Sequence, residues 1–138
     1  DMTRFMMTLE DAVDLVLYAF KYGSSGDIFV QKSPASTITD LALALKKIYE
    51  SNVNIRIIGT RHAEKLYETL LGVEELNHAE DLGNYYRVPA DNRDLNYDKY
   101  FTKGDEKLLN IDNYHSHNAA RLTQSELISL LNKIGYVR

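Results

Sequence analysis

The sequence has 138 residues and contains no cysteine. This absence excludes disulfides, thiolate metal ligands and a cysteine nucleophile, so the fold must be stabilised by packing alone. The sequence also lacks an apolar run near the roughly 18–20 residues of a membrane span, and a basic segment followed by an apolar one, as in a signal peptide. We therefore expect no membrane partner and a reducing, cytoplasmic location.

A basic excess is missing as well, since the formal net charge is −4. Domains that bind nucleic acid usually carry strong positive charge to neutralise phosphates, so we expect no nucleic-acid partner. A small phosphate-bearing ligand needs only a few cations in one place and stays possible. The apolar fraction of 44% and the charged fraction of 26% are ordinary for a folded chain, and the length suits one domain.

Helical spacing and capping residues predict three helices. Thr8 caps the first, whose apolar residues on several faces predict burial on most sides. Thr37 caps the second. Thr123 and Glu126 form a capping box before the third, and Gly135 stands where a helix C-cap belongs.

Short apolar runs predict the remaining elements. We expect a buried strand at residues 28–31, a second strand at residues 54–58, a short helix at residues 64–71 and a strand at residues 85–88. A polar, tyrosine-rich loop follows the last of these. The linker-like break at residues 103–107 is the candidate boundary.

Glycine motifs that cradle phosphates are absent: the sequence contains no P-loop, no G-x-G-x-x-G and no serine nucleophile elbow. Metal patterns are incomplete. His62 and Glu64 form an H-x-E pair, but a zinc deaminase also needs two cysteines. His115 and His117 lack a third ligand at any readable spacing. We expect no metal site.

The best chemical site that the residues themselves indicate is cationic. Arg61 and Lys65 follow an apolar run that closes on a glycine, and Arg4 lies near the start of the chain. In a loop before a helix, Arg61 would fork two hydrogen bonds onto a phosphate, and helix amides would add positive potential. The alternative, that these are ordinary surface cations, stays open at this point.

Four runs occur in a characteristic order along the chain, the first near its start and the last near its end: MTRFMMTLEDAVDLVLYAF, GDIFVQKSPASTI, IRIIGTRHAEKLYETL and YHSHNAARL. They resemble the C-terminal part of the nucleotide-sugar dehydratases and epimerases of polysaccharide biosynthesis. That group belongs to the extended short-chain dehydrogenase/reductase family and includes capsule and O-antigen enzymes that act on UDP-N-acetylglucosamine.

The resemblance implies an α/β fold comprising the end of a Rossmann sheet and a small substrate-binding domain. Residues 1–110 would form the nucleotide-sugar-binding portion, and residues 111–138 a tail with a short amphipathic helix. The family's cofactor loop and catalytic lysine lie upstream, so this chain looks like half an enzyme. It is expected to carry no catalytic residue and to bind no NADP or NAD without the N-terminal Rossmann half.

The family also implies which residues bind the substrate. Arg4 would contact the nucleotide diphosphate, and so would Arg61, which begins a motif similar to R-x-G-E-K. Glu64 and Lys65 belong to the same motif and are assigned to the substrate as well. The motif's glycine is Ala63 here, which puts a positive φ at that position in question.

Two functional hypotheses follow. The first is the substrate-binding part of an NADP-dependent UDP-N-acetylglucosamine 4,6-dehydratase (a lyase) or of a 4-epimerase (an isomerase) for UDP-glucose or UDP-N-acetylglucosamine, in capsule or lipopolysaccharide synthesis. Hydride would leave sugar C4 before elimination across C5 and C6, or return to the other face. The second is a non-catalytic interaction module that kept the fold and lost the site.

Self-association is also expected. The tyrosines at 85, 86, 97 and 100, together with the tail beyond residue 110, supply aromatic surface that a small domain can hardly cover. A homo-oligomer would cover it.

Overall fold

The computed structural model describes residues 1–91 and 112–135. In these residues short strands and helices follow one another as β1 (Thr3–Phe5), α1 (Leu9–Tyr22), β2 (Ile28–Gln31), β3 (Ala35–Thr37), α2 (Ile38–Ile48), β4 (Thr69–Leu71), α3 (Val73–His78), β5 (Glu80–Asp81), β6 (Tyr85–Val88), β7 (Tyr114–His115) and α4 (Gln124–Lys133). The break predicted at residues 103–107 and the division between residues 110 and 111 lie outside the described residues. Both stay predictions.

The helix starts follow from their caps. The Thr8 hydroxyl accepts a hydrogen bond from the Asp11 backbone N–H (3.1 Å), and the Asp11 carboxylate accepts one from the Thr8 N–H (2.9 Å). Thr37 caps α2 through its hydroxyl, and Thr123 begins α4 with a capping box. Gly135 takes a positive φ of 65° after α4. All of these predictions are confirmed, and each cap stabilises its helix by about 1 kcal/mol.

The strands form small antiparallel sheets. β1 pairs with β3, β4 pairs with β7, and a three-stranded sheet has the order β2-β6-β5. The strands predicted at residues 28–31 and 85–88 are both present and pair with each other, Ile28 opposite Val88. Burial of the first is only partial, because β2 is an edge strand and its Ile28 is 53% exposed.

Two predicted elements are wrong. Residues 54–58 form no strand, although isoleucines alternate with Arg56, because no described strand lies beside them to take their backbone hydrogen bonds. Residues 64–71 form no helix. The Glu68 N–H donates to the Ser116 hydroxyl (3.0 Å) and the Glu68 carbonyl accepts from the Ser116 N–H (2.9 Å), so pairing with the β7 region overrides the helical spacing.

Helix α1 is covered on one side. Its Tyr18 ring stacks on Tyr85 with centroids 4.3 Å apart and meets Phe29 edge-on at 5.7 Å. No residue of α1 is buried, so the prediction of burial on most sides is wrong for the described structure. Apolar residues at helical spacing are exposed instead, and they are called the α1 stripe below: Leu9, Val13, Val16, Leu17 and Phe20.

The core lies where α2 packs on α4. Ala44 of α2 and Leu127 of α4 are fully buried, and Ala35 in β3 and Leu71 in β4 are also buried. Within residues 1–91 and 112–135, no helix has the length and apolarity that crossing a membrane requires.

The tyrosines expected to drive self-association lie in different surroundings. Tyr85 stacks on Tyr18, and the Tyr86 ring lies 5.3 Å from that of Tyr114, so both make contacts inside the chain. Tyr97 and Tyr100 lie outside the described residues. A homo-oligomer stays a prediction.

Candidate ligand-binding site

A tight turn carries Arg61. Its carbonyl accepts a hydrogen bond from the Glu64 N–H (3.1 Å), and its own N–H donates to the Glu64 carboxylate (2.9 Å). Ala63 occupies the third position of the turn with a φ of 63°. Turns of type II need a positive φ there and usually place glycine at it. The conformation is therefore kept without the glycine, at a cost of about 1–2 kcal/mol for an L-residue.

Glu64 shapes this turn. One of its carboxylate oxygens accepts the Arg61 N–H, as in a helix capping box, so the side chain holds the backbone that presents Arg61. Its assignment to the substrate stays a prediction.

A cleft of about 440 Å³ opens beside the turn. Arg61 and Glu64 line it together with Arg56, and its walls include the start of α2 at Ile38 and the side chain of Leu66. Arg56 and Arg61 are exposed, and neither guanidinium forms an ion pair or hydrogen bond with any described residue. An apolar cleft with a few converging polar groups is the usual form of a small-molecule site.

Arg4 is held by its own chain. Its Nη1 donates to the Thr3 carbonyl (2.7 Å) and its Nη2 to the Lys65 carbonyl (2.9 Å). Its Nε lies 3.6 Å from the Glu68 carboxylate, and the side chain is 26% exposed. Arg4 therefore ties β1 to the segment that follows the turn, and neither Arg4 nor Lys65 is among the residues that line the cleft.

Lys65 is more exposed than Arg4. Its Nζ lies 4.0 Å from a Glu68 oxygen, and its side chain is 73% exposed. The structure thus brings the four predicted residues together in two pairs, Arg61 with Glu64 at the cleft and Arg4 with Lys65 around Glu68.

A buried hydroxyl pair supports the strand that carries Arg4. The Ser116 hydroxyl lies 2.8 Å from the Thr3 hydroxyl and accepts from the Glu68 N–H at 3.0 Å. Thr3 and Ser116 are both fully buried. Sequence reasoning gave no role to Ser116, although it lies in the quoted run YHSHNAARL, because a single serine has no spacing pattern that reveals its partners.

The two histidines beside Ser116 form hydrogen bonds with other groups of the chain. His115 Nδ1 accepts from the backbone N–H groups of His117 (3.1 Å) and Asn118 (3.2 Å), which leaves its Nε2–H to donate to Asp112 (3.1 Å). His117 Nδ1 lies 2.6 Å from the Thr3 hydroxyl. Among the described residues, no group of three or more His, Cys, Asp or Glu side chains could hold a metal ion.

Comparison with known families decides what kind of chain this is. A family described as "Polysaccharide biosynthesis protein" matches residues 1–90, and one described as "Polysaccharide biosynthesis protein C-terminal" matches residues 91–138. The chain belongs to the polysaccharide biosynthesis protein family. The resemblance drawn from the four sequence runs is thereby confirmed, including its placement in the family's C-terminal portion.

Relatives of this chain carry a more specific name. Proteins named UDP-glucose 4-epimerase are 60% identical in Rickettsia bellii (strain OSU 85-389), 58% in Rickettsia prowazekii (strain Madrid E) and 57% in Rickettsia felis. Each match covers 99% of this chain, which spans 40% of the relative's length.

A solved structure shares the fold of this family member. The X-ray structure of Pen from Bacillus thuringiensis matches with a TM-score of 0.73 and 28% identity, over 96% of this chain and 38% of that one. The predicted fold class is confirmed: the chain has an α/β fold, that of the C-terminal portion of an extended short-chain dehydrogenase/reductase.

Proposed function

We propose that this chain is the substrate-binding portion of a nucleotide-sugar 4-epimerase or 4,6-dehydratase that acts on a UDP-hexose in surface polysaccharide synthesis. The name of the Rickettsia relatives favours 4-epimerisation of UDP-glucose over dehydration of UDP-N-acetylglucosamine. A cytoplasmic location of the reaction is part of the proposal.

One observation carries the proposal. Arg61 lies on a turn that Glu64 closes and lines the cleft, and its guanidinium has no ion-pair partner among the described residues. A planar guanidinium on a fixed backbone is suited to two parallel hydrogen bonds to a phosphate. The diphosphate of a UDP-sugar supplies that partner.

The hydride chemistry lies with another part of the enzyme. A bound NADP or NAD would supply the hydride acceptor for sugar C4, and glycine-rich loops usually bind the phosphates of such dinucleotides. This sequence contains no such loop. In our proposal a Rossmann portion like the rest of the relatives' length holds the cofactor, while this chain binds and orients the UDP-sugar diphosphate.

The α1 stripe supports a partner of that kind. Leu9 and Phe20, at its two ends, are 82% and 84% exposed. Covering a large apolar side chain contributes roughly 1.5–3 kcal/mol, so a stripe of this length gives a packed Rossmann portion a strong contact. Homo-oligomerisation of the assembled enzyme is part of the proposal.

A chimaera tests the function. This chain would replace the matching 137 residues of the Rickettsia bellii relative, and conversion of UDP-glucose to its C4 epimer would be measured. We expect turnover, and we expect Arg61→Ala to weaken UDP binding at least about tenfold, with Arg61→Lys recovering part of the loss. NADP affinity should stay unchanged, since the cofactor phosphates lie on the other portion.

The exposed Lys47, which does not line the cleft, gives the matched control. Lys47→Ala should bind UDP like the unaltered chimaera, and thermal melts would exclude unfolding. A folded chimaera without turnover or UDP binding would contradict the proposal and favour the interaction module.

A further inference from the structure

We infer that Arg56 is a second anion-binding residue of the cleft, so that Arg56 and Arg61 together bind both phosphates of a nucleoside diphosphate. This inference rests on the proposed function and adds a residue that the sequence motifs do not assign. Arg56 lies in the run once predicted as a strand, where an arginine between isoleucines indicates no more than a solvated face.

The backbone places both arginines at the same cleft. Gly59 lies between them with a φ of 78°, a conformation that side-chain-bearing residues rarely adopt. An added Cβ at Gly59 would meet nothing within 4 Å, so the glycine is needed for its φ and not for space. Arg56 and Arg61 both line the cleft on either side of this glycine.

The two guanidinium groups are available. Arg4 and Arg87 bind carbonyls or carboxylates of their own chain, whereas Arg56 and Arg61 have no such partner in the described part. Both side chains are exposed, so an anion in solution can reach them. A diphosphate carries negative charge on each phosphate, which matches one guanidinium apiece.

The walls of the cleft favour a ligand with an apolar part. Ile38, Ile57 and Leu66 line it beside the arginines and are exposed, so an apolar part of a ligand could cover them. Its volume of about 440 Å³ lies in the range of small-molecule sites. Asp1 and Glu64 also line the cleft, and the Glu64 carboxylate accepts the Arg61 N–H.

The test measures binding of three probes by calorimetry to the chimaera: UDP, inorganic pyrophosphate and uridine. Arg56→Ala should weaken UDP and pyrophosphate at least about tenfold and leave uridine unchanged, because uridine carries no phosphate. Arg56→Lys should recover part of the affinity, since a point charge lacks the planar fork. Arg56→Gln keeps a polar side chain and serves if the alanine variant unfolds, and Lys47→Ala is the control.

The outcomes separate the inference from the proposed function. Loss of UDP affinity in both Arg56→Ala and Arg61→Ala supports the two-arginine site. Unchanged UDP affinity in Arg56→Ala, with a loss in Arg61→Ala, overturns the role of Arg56 and leaves the proposed function standing. A folded chimaera that binds neither UDP nor pyrophosphate overturns both.

Discussion

The described arginine side chains fall into two groups by what their guanidinium groups already bind. Arg87 donates from Nε to Asp27 (2.8 Å) and lies 3.2 Å from Glu80, and Arg4 donates to two backbone carbonyls. Arg56 and Arg61 bind no described residue. The first group has partners within the fold and the second has none among the described residues, a distinction that depends on tertiary neighbours.

Asp27 gives a prediction at this scale. Its side chain is 3% exposed, and its carboxylate accepts hydrogen bonds from the Ser24 N–H and from Arg87. These hydrogen bonds hold the pKa of Asp27 below its usual range, and the bond from the Ser24 N–H has the largest effect. Because this pKa is lower in the folded state, the ionised carboxylate contributes to the free energy of unfolding. The contribution is complete above the unfolded-state pKa of about 3.9 and is lost as pH falls through the folded-state pKa.

We therefore expect Asp27→Asn to lower the free energy of unfolding at pH 7 and to flatten its decline below about pH 4. Urea unfolding between pH 7 and pH 3 measures both effects. Asp14, an exposed carboxylate on α1, gives the control Asp14→Asn, which should follow the unaltered chain. The same acid dependence in Asp27→Asn and the unaltered chain would contradict the assignment.

At the scale of elements, sequence patterns correctly predict the features that depend on contacts between residues close together in the chain. Helix caps such as Thr8 and Thr123 bond within their own first turn, so the sequence reveals them. Residues 64–71 show helical spacing, yet Ser116, far along the chain, pairs with Glu68 and makes that segment extended. The motif predicts Arg61. Arg56 could be recognised only from the structure, because the sequence does not show which side chains line the same cleft.

The turn at the cleft gives a paired prediction. Ala63 and Gly59 both have positive φ, but only the glycine adopts it without strain. Ala63→Gly should relieve about 1–2 kcal/mol of strain and lose about 0.4–1 kcal/mol through greater freedom of the unfolded chain, a net gain of about 0.5–1 kcal/mol. Gly59→Ala should lower the free energy of unfolding by a similar amount.

Urea unfolding of the two variants measures the pair, with Ala120→Gly as control because Ala120 is exposed and has no positive φ. The control should show no increase in the free energy of unfolding. If Ala63→Gly were no more stable than Ala120→Gly, the strain assigned to the turn would be absent.

At the scale of the whole molecule, the main question is what packs on the α1 stripe. Its residues recur at helical spacing on the side of α1 that no described element covers, while Tyr18 packs the other side on the sheet. The sequence correctly indicated an apolar helix. It could not show that no described element packs on the α1 stripe. A chain that spans 40% of its relatives' length is expected to present such a face if the rest of that length packs there.

Phe20→Glu tests that packing. Phe20 is 84% exposed in this chain, so the substitution should leave the melting temperature of the 138-residue chain unchanged. In the chimaera with the Rickettsia bellii relative, a Rossmann portion that covers the stripe would bury the new carboxylate without a partner. The melting temperature should then fall by at least about 4 °C. Each protein serves as the control for the other, since the same substitution is compared with and without the proposed cover. An equal response in both would show that the α1 stripe is not where the Rossmann portion packs.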